Sequence, residues 1–157
     1  MSEFGIMSSE DGETIMMRKG KINQQVEALS LTLATLLGLK REGKTQELEA
    51  CLKNACKELT GLDWGLTMTL TTDSLLSLLT TDNHLDVGRC ATLAVLLHEQ
   101  GILDEERGLV PVAQNRYRKA ARLLSEAMQS DSQLRTSQFQ ARLADLAGKL
   151  QAGNKAS

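Results

Sequence analysis

The sequence predicts an all-α protein of about six helices folded into antiparallel hairpins, and three observations predict it. Apolar residues recur every three, four or seven positions through most of the chain, the period of a helix with one buried face. One proline stands among 157 residues and alternating β-branched runs are few, which leaves little material for a sheet. Gly43, Leu48, Leu52 and Ala55 reappear 65 residues later as Gly108, Ala113, Tyr117 and Ala120, so two segments share one register.

The elements follow in order. Residues 1–10 read as a disordered tail or tag remnant, 11–151 as one helical domain and 152–157 as a frayed tail. Ile15, Ile22, Val26, Leu29, Leu33 and Leu36 form the stripe of a first helix, firm from about Lys21 because Gly20 weakens the turns before it. Lys40 and Arg41 suit the negative end of that helix, and Gly43 tolerates the left-handed cap. A second helix follows with Leu48, Cys51, Leu52, Ala55 and Leu59 on one face, ending at Gly61. So short a turn forces the two helices antiparallel.

From Leu62 to Leu70 the pattern alternates apolar residues with Thr; a lone strand has no partner, so the segment reads as irregular or a helical turn. Thr71 or Thr72 caps a short helix through Leu79. Asp82-Asn83-His84 is a polar break, and Asp86 caps a long helix that carries Leu93, Leu96, Leu97 and Leu103 to Gly108. Pro111 opens the next helix, through Tyr117, Leu124 and Met128. Phe139, Leu143, Leu146 and Leu150 mark the last.

Composition bounds the function. Hydrophobic residues at 41% and charged residues at 24% are those of a globular domain. Only Trp64, Tyr117 and two Phe are aromatic, so Leu, Ala and Val must fill the core. A net charge of −2 argues against nucleic acid as a partner, since duplex binding draws on a positive patch. No apolar run reaches the roughly 18 residues of a membrane span. With no basic-then-apolar leader and an odd number of cysteines, reduced thiols and a cytoplasmic location are expected.

In the repeat, the glycine permits a tight turn and the three residues after it lie on one face of the second helix, aimed back at the first. Here the chain resembles the tetratricopeptide repeat (TPR), a helix–turn–helix unit of about 34 residues. Gly101, Gly108, Ala113, Tyr117 and Ala120 fall on that family's small–turn–small–bulky–small pattern. Ser125 stands where the family's closing proline is expected, and Leu36 takes the early small position of the first hairpin. Pairing Leu33–Leu37 with Leu93–Leu97 is a competing alignment; the 65-residue offset is preferred because it matches both turn glycines. The run from Ile15 to Met128 also looks like an uncharacterised bacterial family of short TPR-like proteins, through Leu36–Gly43 and Gly61-Leu62-Asp63.

Sites of chemistry are few. Cys51 and Cys56 are five apart, outside the usual zinc-pair spacing, and His84 and His98 lie far from them, so no metal or cofactor is expected. Cys51 and Cys90 read as core residues and Cys56 as one near a face edge. No nucleophile elbow, P-loop or dinucleotide-binding turn occurs, and the chain reads as non-catalytic. Asp104-Glu105-Glu106 and the basic cluster Arg116, Arg118, Lys119 and Arg122 read as solvated helix faces, with an anionic partner as the alternative for the second.

In the TPR register, His98, Ile102 and Glu105 share the inner face of their helix, and Lys40 and Arg41 lie on the matching face of the first hairpin. The Lys and Asn with which TPR domains clamp a peptide carboxylate are missing from those positions. The resemblance implies an interaction module for a protein or peptide, with Lys40, Arg41, His98, Ile102 and Glu105 as its binding residues. The alternatives are a homodimer through the long N-terminal helix and a small-ligand binder or enzyme using the cleft between hairpins.

Overall fold

The computed structural model describes the backbone of residues 2–156 and the side chains of residues 20–154. The tails expected over 1–10 and 152–157, and Ile15 on the first stripe, lie wholly or partly outside the described side chains. The elements in chain order are α1 (Ser2–Arg41), α2 (Thr45–Thr60), α3 (Trp64–Thr69), α4 (Thr72–Leu78), β1 (Thr80–Thr81), β2 (His84–Leu85), α5 (Val87–Glu106), α6 (Val110–Ser130), a 3-10 turn (Ser132–Leu134) and α7 (Ser137–Ala156). The fold is all-α, with one helix more than the expected six among the described residues.

The two hairpins, α1–α2 and α5–α6, turn in the same way. Gly43 sits at φ 69°, its N–H donating to Lys40 O (3.1 Å) while the Lys44 N–H donates to Leu39 O (3.0 Å). Gly108 sits at φ 78°, with the N–H of Gly108 on Glu105 O and that of Leu109 on Asp104 O, both 2.9 Å. Each pair of bonds satisfies the last carbonyls of a helix, and each needs a residue without Cβ in the left-handed region. The next residues match too: Lys44 at φ −87°, ψ 71° and Leu109 at φ −89°, ψ 63°.

Inside each hairpin the packing differs by a compensated exchange. Gly101 lies under the Tyr117 ring, where an added Cβ would stand 2.5 Å from Cε1. At the equivalent positions the first hairpin has Leu36 and Leu52, both fully buried. A large ring over no side chain and two medium side chains fill comparable space.

α5 is the centre of the molecule. It packs along α6, α1 and α2 both lie against it, and every residue from Cys90 to Gly101 is buried. Asp86 caps it by accepting from the Arg89 N–H (3.2 Å), and Arg89 Nε in turn donates to Thr60 O at the end of α2 (2.8 Å). Buried all round, α5 must bring partners for its polar side chains, which sets up the site described below.

Two local details depart from the sequence expectations, and one resolves an alternative the sequence leaves open. The alternating segment is a short helix, α3, because Asp63 accepts from the Leu66 N–H (2.9 Å) and the Thr67 hydroxyl donates to Asp63 O (2.8 Å). Asp82 (φ 52°) and Asn83 (φ 64°) form a two-residue turn between β1 and β2, paired Thr81 with His84 and Thr80 with Leu85. The polar break is thus a small hairpin. Finally, Cys56 rather than Cys51 takes the deep position on α2, since α3 closes over that edge and brings Thr67 Oγ1 to 3.8 Å from its Sγ.

Candidate functional site

Building outward from α5, the expected binding face carries His98, Ile102 and Glu105, and α7 supplies polar partners along it. Neutral His98 donates from Nε2 to Asp145 Oδ2 (2.7 Å) and accepts at Nδ1 from Arg142 Nη1 (3.0 Å). Arginine can only donate, so the tautomer follows from the partners. Burial pushes the imidazole below its ordinary pKa and the Arg142 charge adds to this, while the bond and charge of Asp145 oppose it.

Glu99, the next residue, accepts from Lys40 Nζ (2.7 Å) and Arg142 Nη1 (3.2 Å). Burial alone would raise its pKa, but the bonds and charges of Lys40 and Arg142 hold it below the usual carboxylate range. Lys40 is therefore tied to α5 rather than presented to solvent. Nearly two turns further on, Glu105 accepts from the Tyr117 hydroxyl (2.9 Å) and pairs with Lys149 (3.3 Å), whose Nζ stands 5.4 Å from the Tyr117 ring centre. Burial, then the bond to Glu105, pushes the tyrosine pKa strongly upward.

The structure thus joins Lys40 and His98 in one network through Glu99 and Arg142, and ties Glu105 to α7 separately through Lys149. Ile102 is half-buried against the core, and Arg41 is exposed at the end of α1. Sequence reasoning missed Glu99, Arg142, Asp145 and Lys149. A signal existed: Arg142, Asp145 and Lys149 are spaced three and four apart, one polar face beside the apolar stripe of the last helix.

The basic cluster is only partly solvated. Lys119 Nζ and Arg116 Nη1 donate to Met68 O at 2.8 and 3.3 Å, satisfying carbonyls at the end of α3. Arg116 Nε stands 3.6 Å from buried Asp104, which accepts from Gln100 Nε2 (3.0 Å). Arg122 pairs with Asp73 (2.8 Å), and Arg118 is exposed. The solvated-face expectation therefore fails at Arg116 and Lys119, whose side chains reach the carbonyls at the end of α3, and at Asp104, which is buried between Gln100 and Arg116.

Two concavities stand out among the described residues. One of about 640 Å³ lies between α1, the β-hairpin and the ends of α5 and α6, crossed by the Lys21–Asp86 ion pair at 3.3 Å. The other, about 480 Å³, is a groove between α1 and α2 lined by Leu31, Thr35, Leu39, Cys51 and Asn54, with Glu47 and Glu58 at its rim. Among the described residues no three His, Cys, Asp or Glu converge as metal ligands, and no helix is long and apolar enough to cross a membrane. Compared with known proteins, the chain matches no family model, no curated protein and no solved structure.

Proposed function

We propose that the chain is a non-catalytic, TPR-like interaction module that binds a protein or peptide partner in the cytoplasm. The observation that carries this reading is the pair of hairpins with one turn geometry at Gly43 and Gly108, stacked through α5. Units of this kind bury one face against a neighbour and leave the terminal faces for a cap or a partner. The three free cysteines agree with a reducing compartment.

Because α7 already engages His98 and Glu105, the part of the expected binding face left to a partner is the Arg41 end of α1. The outer side of the first hairpin adjoins it. The test is affinity capture from a lysate of the source organism with the wild-type chain and with Arg41→Glu plus Leu31→Glu. The reading expects a saturable partner that the double variant loses while its circular dichroism is unchanged; recovery of no saturable partner contradicts it.

A second reading, self-association through α1, is favoured by Leu31 and Leu37, which are 68% and 49% exposed on that helix. Sedimentation over a dilution series separates the two: a chain monomeric at every concentration removes the second.

A further inference from the structure

The 65-residue register makes the two hairpins comparable face by face. On the second hairpin one face carries Leu96, Gln100, Asp104, Lys119 and Leu123, all buried. α1 and α2 pack against its α5 side, and α3 lies at its α6 side with Met68 O taken by Lys119 and Arg116. The same face of the first hairpin presents Leu31, Thr35, Leu39, Asn54 and Glu58, and it is the open groove of about 480 Å³. There Leu31 is 68% exposed, and Leu39 and Cys51 are half-buried.

The charge of the two faces is reversed. The covered face offers cations to a segment that brings carbonyl oxygens. The open one has two exposed carboxylates, Glu47 and Glu58, eleven residues apart on α2 and so about 16 Å apart along its axis. Lys44 stands 4.0 Å from Glu47 but 2.9 Å from Glu42, and Glu58 makes no ion pair among the described residues. Between the carboxylates the floor is small and weakly polar (Thr35, Ala50, Cys51), which lets another helix approach closely.

We propose that this groove binds a cationic amphipathic helix of about three turns from a partner protein. The helix sets apolar side chains on Leu31 and Leu39 and a Lys or Arg at each end against Glu47 and Glu58. The proposal rests on the protein-binding reading and names the surface and the chemistry of its partner.

The test uses a fluorescent synthetic helix with lysines at its second and thirteenth positions and leucines at its sixth and ninth, all on one face, and a twin with glutamates for the lysines. The lysine peptide binds the full chain in an anisotropy titration, more weakly as salt rises, and the glutamate twin does not. Glu47→Lys with Glu58→Lys weakens binding at least tenfold and transfers the preference to the twin; Leu31→Glu abolishes it. All three positions are exposed, so unchanged melting curves show that the variants fold.

Absence of binding, equal binding of the twins, or indifference to the variants overturns the proposal. So does a chain that sediments as a dimer broken by Leu31→Glu, since a second copy would then own the groove. If lysate capture recovers a partner while the peptide fails, only the groove assignment falls. If both fail, the binding reading falls with it.

Discussion

Two helical glycines differ only in what surrounds them, and alanine at each should change stability in opposite directions. An alanine Cβ at Gly148, on α7, meets nothing within 4 Å. There the change removes only the conformational entropy of glycine and should stabilise by about 0.5–1 kcal/mol. At Gly101 the same Cβ falls 2.5 Å from Tyr117 Cε1 and 2.7 Å from Cδ1. The ring cannot retreat freely, because its hydroxyl is held by Glu105 and Lys149 lies over its face.

Overpacking of this kind typically costs about 1–3 kcal/mol. Set against the helix-propensity gain, it leaves Gly101→Ala destabilised by up to about 2.5 kcal/mol. The two variants should then differ by about 2 kcal/mol in urea unfolding, with unchanged m-values. Adding Tyr117→Leu to Gly101→Leu recreates the Leu36–Leu52 pair of the first hairpin and should recover part of the loss. A Gly101→Ala protein as stable as Gly148→Ala would refute the packing argument.

Two further outcomes follow from the site. His98 has its folded pKa below the ordinary 6.5, so its contribution is fully present above about pH 6.5 and is lost as pH falls through the folded value. Melting temperature should drop as pH falls below about 6.5 in the wild type and drop less in His98→Gln; parallel profiles would count against the buried neutral imidazole. For the thiols, half-buried Cys51 should be the one cysteine that reacts with a disulfide reagent in the native state. Cys56 is buried and Cys90 is both buried and pushed up to about 12, so both should wait for unfolding. Loss of the fast phase in Cys51→Ser checks the assignment.

What the sequence reveals here is mostly local. The turns at Gly43 and Gly108 are legible because a left-handed cap needs a residue type that stands out in the chain. The helix stripes are legible because their period survives in each segment alone. α3 stays open in the sequence between an irregular segment and a helical turn, because its threonines alternate as in a strand while their hydroxyls bond back along the helix. The turn at Asp82-Asn83 lacks the glycine that usually marks such hairpins, and its two-residue strands are too short to show alternation.

The site was half visible. His98, Lys40 and Glu105 could be placed on one side of their helices by register. Their partners Asp145, Arg142 and Lys149 come from a helix some 44 residues further on, and only tertiary packing decides which face it lies on. Cys51 and Cys56 exchanged depths for the same reason, through the cover supplied by α3.

Substituting alanine for Gly43 and for Gly108, one at a time, and comparing both with wild type in denaturant unfolding tests the paired-hairpin architecture most directly. Left-handed positions at φ 69° and 78° make each change destabilising by about 1 kcal/mol, and by matching amounts because the turns match. A gain in stability at either position, as alanine gives inside a continuous helix, would contradict the fold on which every functional statement above depends.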